Sequence, residues 1–277
     1  MTHKILPSSF IIVLIALCSN LFCACTSSDH SAQTSAQATI ERIEQRGKLI
    51  VGTTGDYRPL SFYDSTSGEY WGFGIEIAKA ISTAMGVDIQ FVRTSWPTLT
   101  DDVLAEPQRF DFAIGGITIT DTRRETMLMS DGYLANGKTI LCRAADTNKF
   151  KSLSDIDQSD NRIMVNPGGL NEKFANANIT HAKIIVHQRN EEIPSLIAEG
   201  NADIMITEIT EAPYYVQTDK RLAAPLLNKP FTRGEIGILM QRGQDDLLQK
   251  VNDIIQRIKA DGTLRKLHEK YGLVYAY

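Results

Sequence analysis

Strand-like and helix-like segments alternate along most of this chain, and that alternation narrows the folds it can adopt. Residues 48–52 form a short apolar run, and residues 74–85 place Ile75, Ile77 and Ile81 at helical spacing. Further strand patterns lie at residues 88–93, 111–114, 139–143, 162–165, 183–187, 202–207 and 235–240, and helical patterns lie at 191–199 and 247–271. Strands that alternate with helices predict mostly parallel sheets.

The N-terminal residues indicate export. An apolar run over residues 10–18 is too short to cross a membrane comfortably and is typical of a cleaved signal. Residues 21–25 are similar to a bacterial lipoprotein signal, which predicts a signal peptide over 1–25, a lipid on Cys25 and a flexible linker over 26–40. Ordinary signal-peptidase cleavage near the same place is the alternative. Both predict a periplasmic protein, and a membrane contact arises only through a lipid on Cys25.

Charge and composition exclude several classes of function. A net charge of −4 without charge runs argues against nucleic acid as a partner. The 5 histidines form no pair at helical spacing, and no metal-binding motif is visible. Of the 4 cysteines, only Cys142 falls in the folded part, and its apolar neighbours predict a buried thiol without a disulfide partner. We therefore expect neither a metal nor a cofactor.

One segment combines an anion site with an acid. A strand pattern at 162–165 runs into Gly168 and Gly169, and a helix is expected to begin near Asn171. Backbone N–H groups at such a turn and helix start can bind an anion. Glu172 lies in the same segment, where a carboxyl group beside a bound carboxylate tends to keep its proton and can serve as a general acid. The alternative for Glu172 is a first-turn helix acid, favoured by the helix dipole.

Three segments resemble the family 3 periplasmic solute-binding proteins, which serve amino-acid importers. Residues 52–62 are similar to the opening strand and loop of that family, and residues 72–80 are similar to the helix start that follows. Residues 117–124 resemble its ligand-gripping segment. The segments occur in the family's order, and the resemblance runs from about residue 41 to residue 273.

This resemblance implies an α/β fold of the type II periplasmic-binding-protein class, in which a ligand cleft separates two α/β lobes. Lobe one would be discontinuous, with residues 41–138 plus 231–277, and lobe two would comprise residues 139–230.

A narrower resemblance points to an enzyme family with the same fold. Five segments are similar to the cyclohexadienyl dehydratases, namely residues 53–57, 94–97, 166–174, 202–207 and 229–231. The resemblance implies conversion of prephenate to phenylpyruvate, and of arogenate to phenylalanine, by loss of water and carbon dioxide. Hydroxide is a poor leaving group, so this chemistry needs one general acid, precise positioning and a water-poor cleft, without a cofactor.

The same resemblance assigns roles to five side chains. Glu172 would be the general acid. Arg123 would hold a substrate carboxylate, since a planar guanidinium grips a carboxylate through two parallel hydrogen bonds, and Thr118 would add its hydroxyl and N–H. Tyr57 and Trp96 would pack against the substrate ring. The alternatives are a surface position for Arg123 or Thr118 and a loop-packing role for Trp96.

Other candidate binding residues can also be interpreted without a ligand. Asp56 would contact the substrate hydroxyl or orient the general acid, although Asp after Gly is also an ordinary turn residue. Glu208 stands where the binding family usually has an Asp that pairs with a ligand ammonium, and its alternative is a helix-start acid. Gly169 and Asn171 would bind a carboxylate through the backbone of the turn. Leu170 replaces a Thr common in both families, so weaker binding is expected there.

The sequence therefore leaves three hypotheses open. The first is an exported dehydratase with Glu172 as its acid. The second is an amino-acid-binding receptor of an ABC importer, with the importer permease as its partner and Glu208 paired with the ligand ammonium. The third is a sensor or solute-binding relative that takes an unrelated small anion.

Overall fold

Two five-stranded sheets build the fold of this chain. A computed structural model describes residues 1–2, 39–274 and 276. The predicted lipid on Cys25, nearly all of the predicted signal peptide and linker residues 26–38 lie outside the described residues. Residues 39 and 40, at the end of the predicted linker, are the first residues of a helix, α1, over residues 39–46.

The remaining elements alternate between strands and helices in part, and strands follow one another without a helix at β1–β4, β7–β9 and β13–β15. The strands are β1 (Lys48–Thr53), β2 (Asp56–Tyr57), β3 (Ser61–Asp64), β4 (Glu69–Trp71), β5 (Asp88–Arg93), β6 (Phe112–Ala113), β7 (Leu128–Met129), β8 (Leu134–Asn136), β9 (Lys138–Arg143), β10 (Arg162–Val165), β11 (Lys183–Val186), β12 (Ile204–Glu208), β13 (Leu222–Ala223), β14 (Gly234–Ile236) and β15 (Leu239–Met240). The further helices are α2 (Phe73–Met85), α3 (Leu99–Val103), α4 (Asp121–Thr126), α5 (Leu153–Ile156), α6 (Leu170–Asn178), α7 (Ile193–Ala198), α8 (Ala212–Thr218), α9 (Asp245–Ala260) and α10 (Thr263–Tyr271). Short 3₁₀ turns lie at Ala144–Asp146 and Asn190–Glu192.

Both sheets have parallel strands at one side and antiparallel strands at the other. The first sheet has the order β5-β1-β6-β15-β7, with β1 parallel to β5 and β6, and with β15 antiparallel to β6 and β7. The second sheet has the order β11-β10-β12-β9-β13, with β10 parallel to β11 and β12, and with β9 antiparallel to β12 and β13. The predicted parallel pairing holds for β1 with β5 and for β10 with β11, where a helical crossover returns the chain in the same direction. It does not extend to β9 and β10, which run in opposite directions although α5 lies between them.

The chain passes between the two sheets beside a two-stranded ladder of β8 and β14, in which Asn136 pairs with Gly234. The single strand predicted over residues 235–240 is wrong, since β14 and β15 belong to different sheets. The break falls at Gly237, whose backbone runs so close to Ile119 that an added Cβ would lie 2.9 Å from that side chain. The hairpin sheet β2-β3-β4 was not predicted either.

Apolar side chains cover both faces of each sheet. In the second sheet, Ile163 and Val165 of β10 enter one buried cluster, and Met164 between them enters the cluster on the opposite face. The first sheet is covered on one side by α2 and α9, with Phe73 and Ile255 fully buried. Strands buried on both faces read as continuous apolar runs, which is why they could be found in the sequence.

Candidate functional site

A cavity with an empty volume of about 320 Å³ lies between loops of the two sheets. Its lining includes Tyr57, Trp96, Gly116, Thr118 and Arg123 from the first part of the chain, and Lys138, Asn166, Gly169, Leu170, Asn171, Asn190 and Glu208 from the second. Ligands of open α/β sheets bind outside the carboxyl ends of parallel strands, and the cavity is lined by residues that follow β1, β6 and β10 and by the last residue of β12.

A buried ion pair forms one wall of this cavity. Lys138 Nζ lies 2.6 Å from Glu208 Oε1, and the two side chains are 8% and 6% exposed. The pair follows from the sheet register, because Lys138 of β9 and Glu208 of β12 are directly opposite each other in antiparallel strands. Lys138 Nζ also donates to Asn171 Oδ1 at 2.6 Å, which ties the pair to the first turn of α6.

Three donors converge on the Glu208 carboxylate, one from β9, one from β2 of the hairpin sheet and one from the loop that carries Thr118. Besides Lys138, the Tyr57 hydroxyl donates to Oε2, and Thr118 Oγ1 donates to Oε1 at 3.3 Å. Burial alone would raise the pKa of Glu208, but the Lys138 charge and the hydrogen bonds of Lys138, Tyr57 and Asn136 outweigh burial and lower it. Burial and the negative Glu208 raise the pKa of Tyr57 well above its usual value. Glu208 is therefore ionised and Tyr57 is a neutral donor at neutral pH.

Arg123 brings a second cation to the cavity. It lies in α4, whose N-cap Thr120 accepts the Arg123 backbone N–H. Its Nη1 donates to the Thr118 carbonyl at 2.5 Å, which fixes the guanidinium against the cavity wall. Burial lowers the pKa of Arg123, and the Glu208 charge offsets part of that shift. With one nitrogen on a neutral carbonyl, the guanidinium retains further donors that could receive a ligand carboxylate.

Aromatic side chains supply the apolar part of the lining. The Tyr57 and Trp96 rings meet edge to face, with centroids 5.6 Å apart and an angle of 81°. Trp96 Nε1 donates to Asp56 Oδ1 at 3.0 Å, so Asp56 lies behind the aromatic wall and is not part of the lining. Burial raises the pKa of Asp56, and its hydrogen bonds from Thr54 and Trp96 oppose that shift.

The predicted anion site at the start of α6 is present as a turn followed by a helix. Gly169 is the N-cap residue, and Gly169, Leu170 and Asn171 all line the cavity. The first amides of a helix have no partner within the helix, so this end of α6 presents donors near the ligand space.

Glu172 lies on the same helical turn but outside the cavity lining. It is half-buried, and its Oε2 accepts the Gly168 N–H at 2.6 Å. This is the contact of a first-turn acid that folds back over its own loop, in line with the alternative stated for this residue. The general-acid role of Glu172 stays a prediction.

A second buried carboxyl lies next to the cavity, and the sequence did not reveal it. Glu211 is fully buried, and it accepts Thr207 Oγ1 at 2.5 Å and Asn190 Nδ2 at 2.9 Å. The same Asn190 nitrogen lies 3.2 Å from the Asp56 carbonyl and so joins the loops of the two sheets. Burial raises the pKa of Glu211 to about 8, with the charges of Glu208 and Asp56 adding to the shift.

The structure thus brings seven of the predicted site residues to one cavity, namely Tyr57, Trp96, Thr118, Arg123, Gly169, Asn171 and Glu208. Asp56 and Glu172 lie beside it, and Gly116, Lys138, Asn166 and Asn190 were missed. A charged Lys138 at the head of the apolar run 139–143 was a signal, because a lysine that enters a buried strand needs a partner.

The described residues contain no cluster of three or more His, Cys, Asp or Glu side chains that could hold a metal ion. None of the helices in the described part of the chain has the length and apolar character that crossing a membrane requires. Cys142 is fully buried as a free thiol, which confirms the prediction for that side chain, and burial raises its pKa to about 12.

Comparisons with known proteins agree with this architecture. Residues 49–274 match the bacterial extracellular solute-binding proteins, family 3. The chain is 35% identical to cyclohexadienyl dehydratase of Pseudomonas aeruginosa over 268 residues, which is 96% of each chain. It is 27% identical to the L-cystine-binding protein TcyJ of Escherichia coli over 238 residues, which is 85% of this chain and 86% of that one.

Among solved structures, the chain is similar to an ancestral amino acid-binding protein described as a precursor of cyclohexadienyl dehydratase. The TM-score is 0.77 at 34% identity, and the match covers 84% of this chain and 99% of that one. The predicted fold class, two α/β lobes of the periplasmic-binding type, is thereby confirmed.

Proposed function

Because this chain belongs to the bacterial extracellular solute-binding proteins of family 3, we propose that it uses the family's ligand cleft for catalysis, as an exported cyclohexadienyl dehydratase. The reaction would convert prephenate to phenylpyruvate, and arogenate to phenylalanine, in the periplasm. The observation that carries this proposal is the 35% identity to a cyclohexadienyl dehydratase over 96% of both chains. The cavity supports it, since it joins two cations and a helix start to an aromatic wall.

The chemistry of prephenate fits that lining. Prephenate carries two carboxylates, a keto group and a ring hydroxyl. In the reaction, the bond between the ring and its carboxylate breaks, and carbon dioxide leaves. The electron pair of that bond enters the ring, the carbon–oxygen bond breaks, and hydroxide takes up one proton to leave as water. The ring becomes aromatic, so the substrate itself supplies the driving force.

The binding roles follow from charge and shape. Arg123 would hold one carboxylate, and the amides at the start of α6 around Gly169 would hold another. The Tyr57 and Trp96 rings would pack against the substrate ring. Excluding water from the closed cavity would disfavour the ring carboxylate relative to neutral carbon dioxide, which helps decarboxylation.

We propose Glu172 as the donor of the proton. It lies one residue after Asn171 and three after Gly169, which both line the cavity, and its carboxylate accepts the Gly168 N–H. General acid assistance is typically worth about 10²–10⁴-fold in rate. This assignment requires Glu172 to exchange its loop contact for the substrate hydroxyl during the reaction.

The competing function is an amino-acid receptor of an ABC importer, with a permease as partner. The specific observation in its favour is the 27% identity to an L-cystine-binding protein over 85% of this chain. A receptor needs the cavity and its closure but no proton donor. A measurement of prephenate turnover therefore distinguishes the two functions.

The decisive experiment mixes purified protein with prephenate at neutral pH and follows phenylpyruvate by its absorbance in alkali, against a blank without protein. We expect rapid, saturable product formation. Absence of product, together with a rise in melting temperature caused by a free amino acid, would establish the receptor instead.

A further inference from the structure

The cavity contains a carboxylate, Glu208, that a ligand ammonium would be expected to seek. A buried carboxylate inside a ligand cavity is the natural partner for the positive group of an amino acid. In this chain a cation of the protein already holds that place, because Lys138 Nζ lies 2.6 Å from Glu208 Oε1. We propose that Lys138 makes the cavity select 2-keto acids over the corresponding 2-amino acids, so that prephenate is preferred to arogenate. The choice of prephenate and arogenate as the two substrates rests on the proposed function. The preference for 2-keto acids over 2-amino acids does not.

The first step of the argument is the saturation of Glu208. One of its oxygens accepts from Lys138 and Thr118, and the other accepts from Tyr57. A carboxylate has about four acceptor positions, so little capacity remains for an ammonium, which carries three donors. The donors come from β9, from the Thr118 loop and from β2, so the carboxylate is held from several directions.

The second step is charge. Among the residues that line the cavity, Arg123 and Lys138 are cations and Glu208 is the one carboxylate. An added ammonium near Glu208 would lie beside the Lys138 ammonium in a site shielded from water, and like charges at such distances repel strongly. A keto oxygen at the same place is an acceptor, and it can take a hydrogen bond from Lys138 or from Asn171.

The third step is rigidity. Lys138 is fixed by the strand register opposite Glu208 and by its second contact, to Asn171 Oδ1 at 2.6 Å. Its side chain is 8% exposed, so it cannot swing into solvent to make room for a ligand cation without opening the cavity. The preference for 2-keto acids therefore follows from the fixed position of Lys138 in the cavity wall.

The test compares matched keto and amino ligands in wild-type protein and in Lys138→Met. Turnover is measured as kcat/KM for prephenate and for arogenate, and binding is measured by calorimetry with phenylpyruvate and with L-phenylalanine. For the wild type we expect a preference for the keto member on the order of tenfold or more in both measurements. In Lys138→Met, Glu208 loses its partner and becomes free to pair with an ammonium, so the ratio should fall or invert.

Lys151→Met serves as the control, because Lys151 is exposed and does not line the cavity. The keto-to-amino ratio of this variant should equal that of the wild type. A loss of general stability would weaken both ligands alike, so the ratio separates specificity from a merely structural role. If Lys138→Met does not fold, the double variant Lys138→Met/Glu208→Gln removes both buried charges, and its ratio should fall toward one.

The outcomes separate the two proposals. Selective binding of phenylpyruvate without turnover of prephenate or arogenate would leave the selectivity intact and refute the dehydratase. Turnover with arogenate equal to or better than prephenate, or an unchanged ratio in the Lys138 variants, would overturn the role of Lys138 and leave the dehydratase standing.

Discussion

Gly168, in the loop before α6, lies directly against Pro97, in the loop after β5. A Cβ built on Gly168 would come within 2.5 Å of Pro97 Cα, and the Gly168 backbone has a φ of 74°. The neighbours of these two residues, Trp96 and Gly169, both line the cavity. The loops of the two sheets therefore meet at a point where only a glycine fits.

Gly168→Ala should weaken ligand binding because the added methyl group pushes the two loops apart. The left-handed backbone conformation adds a cost of about 1–2 kcal/mol to folding. Gly200→Ala is the matched control. Gly200 has a φ of 82°, but the nearest side chain to a Cβ built on it, that of Arg143, lies 3.9 Å away. Melting temperatures and ligand affinities are measured for both. Equal losses of affinity in the two variants would show that the contact with Pro97 does not matter for binding.

Replacing Arg123 should remove the main carboxylate grip. A hydrogen bond to a charged group contributes about 1.5–3 kcal/mol, so Arg123→Met should lower kcat/KM for prephenate by about 10-fold to 150-fold. The neighbouring Arg124 is exposed and does not line the cavity, so Arg124→Met provides the control. Similar activity in the two variants would refute the binding role of Arg123.

Local patterns in the sequence were enough to predict seven of the fifteen strands that the structure describes, β1, β5, β6 and β9 to β12, together with α2 and the start of α6, since hydrophobic periodicity and Gly-Gly turns are local signals. The pairing of Lys138 with Glu208 was not predictable in that way. It depends on the register of two strands whose paired residues are 70 positions apart in sequence. Asn190 is a similar case, because it joins the Asp56 carbonyl to Glu211 across loops of both sheets.

The sequence also could not decide between the two interpretations of Glu172. The anion site and the acid were visible as neighbours, but the direction of a side chain on the first turn depends on its rotamer. The structure has that side chain on the Gly168 amide, while seven other predicted residues meet in the cavity. The position of Glu172 beside the anion site was predictable from the sequence, and the orientation of its side chain was not.

Glu172→Gln should lower turnover of prephenate by about 10²–10⁴-fold, the usual value of general acid catalysis. The amide oxygen of Gln can still accept the Gly168 N–H, so the melting temperature and ligand affinity should change little. Glu199→Gln, at an exposed position in the same part of the chain, should retain full activity. Near wild-type turnover in Glu172→Gln would refute the acid assignment.

Glu211 should make the stability of the protein depend on pH. Its pKa is raised from 4.5 to about 8 in the folded protein. The folded state therefore holds this proton more tightly than the unfolded state does. The stabilising contribution is complete below pH 4.5, and it is lost as the pH rises toward 8.

The variant Glu211→Gln cannot ionise and keeps polar atoms beside Thr207 and Asn190, so it should lack this dependence. Between pH 5 and pH 8, the free energy of unfolding of the wild type should fall relative to that of the variant by at most about 1.4 kcal/mol per pH unit. Urea unfolding at several pH values measures the difference, and Glu199→Gln should follow the wild type throughout. If the difference between wild type and Glu211→Gln stays constant across this range, Glu211 is not protonated in the folded protein at pH 7. Its hydrogen bonds with Thr207 and Asn190 would then be made by a buried carboxylate.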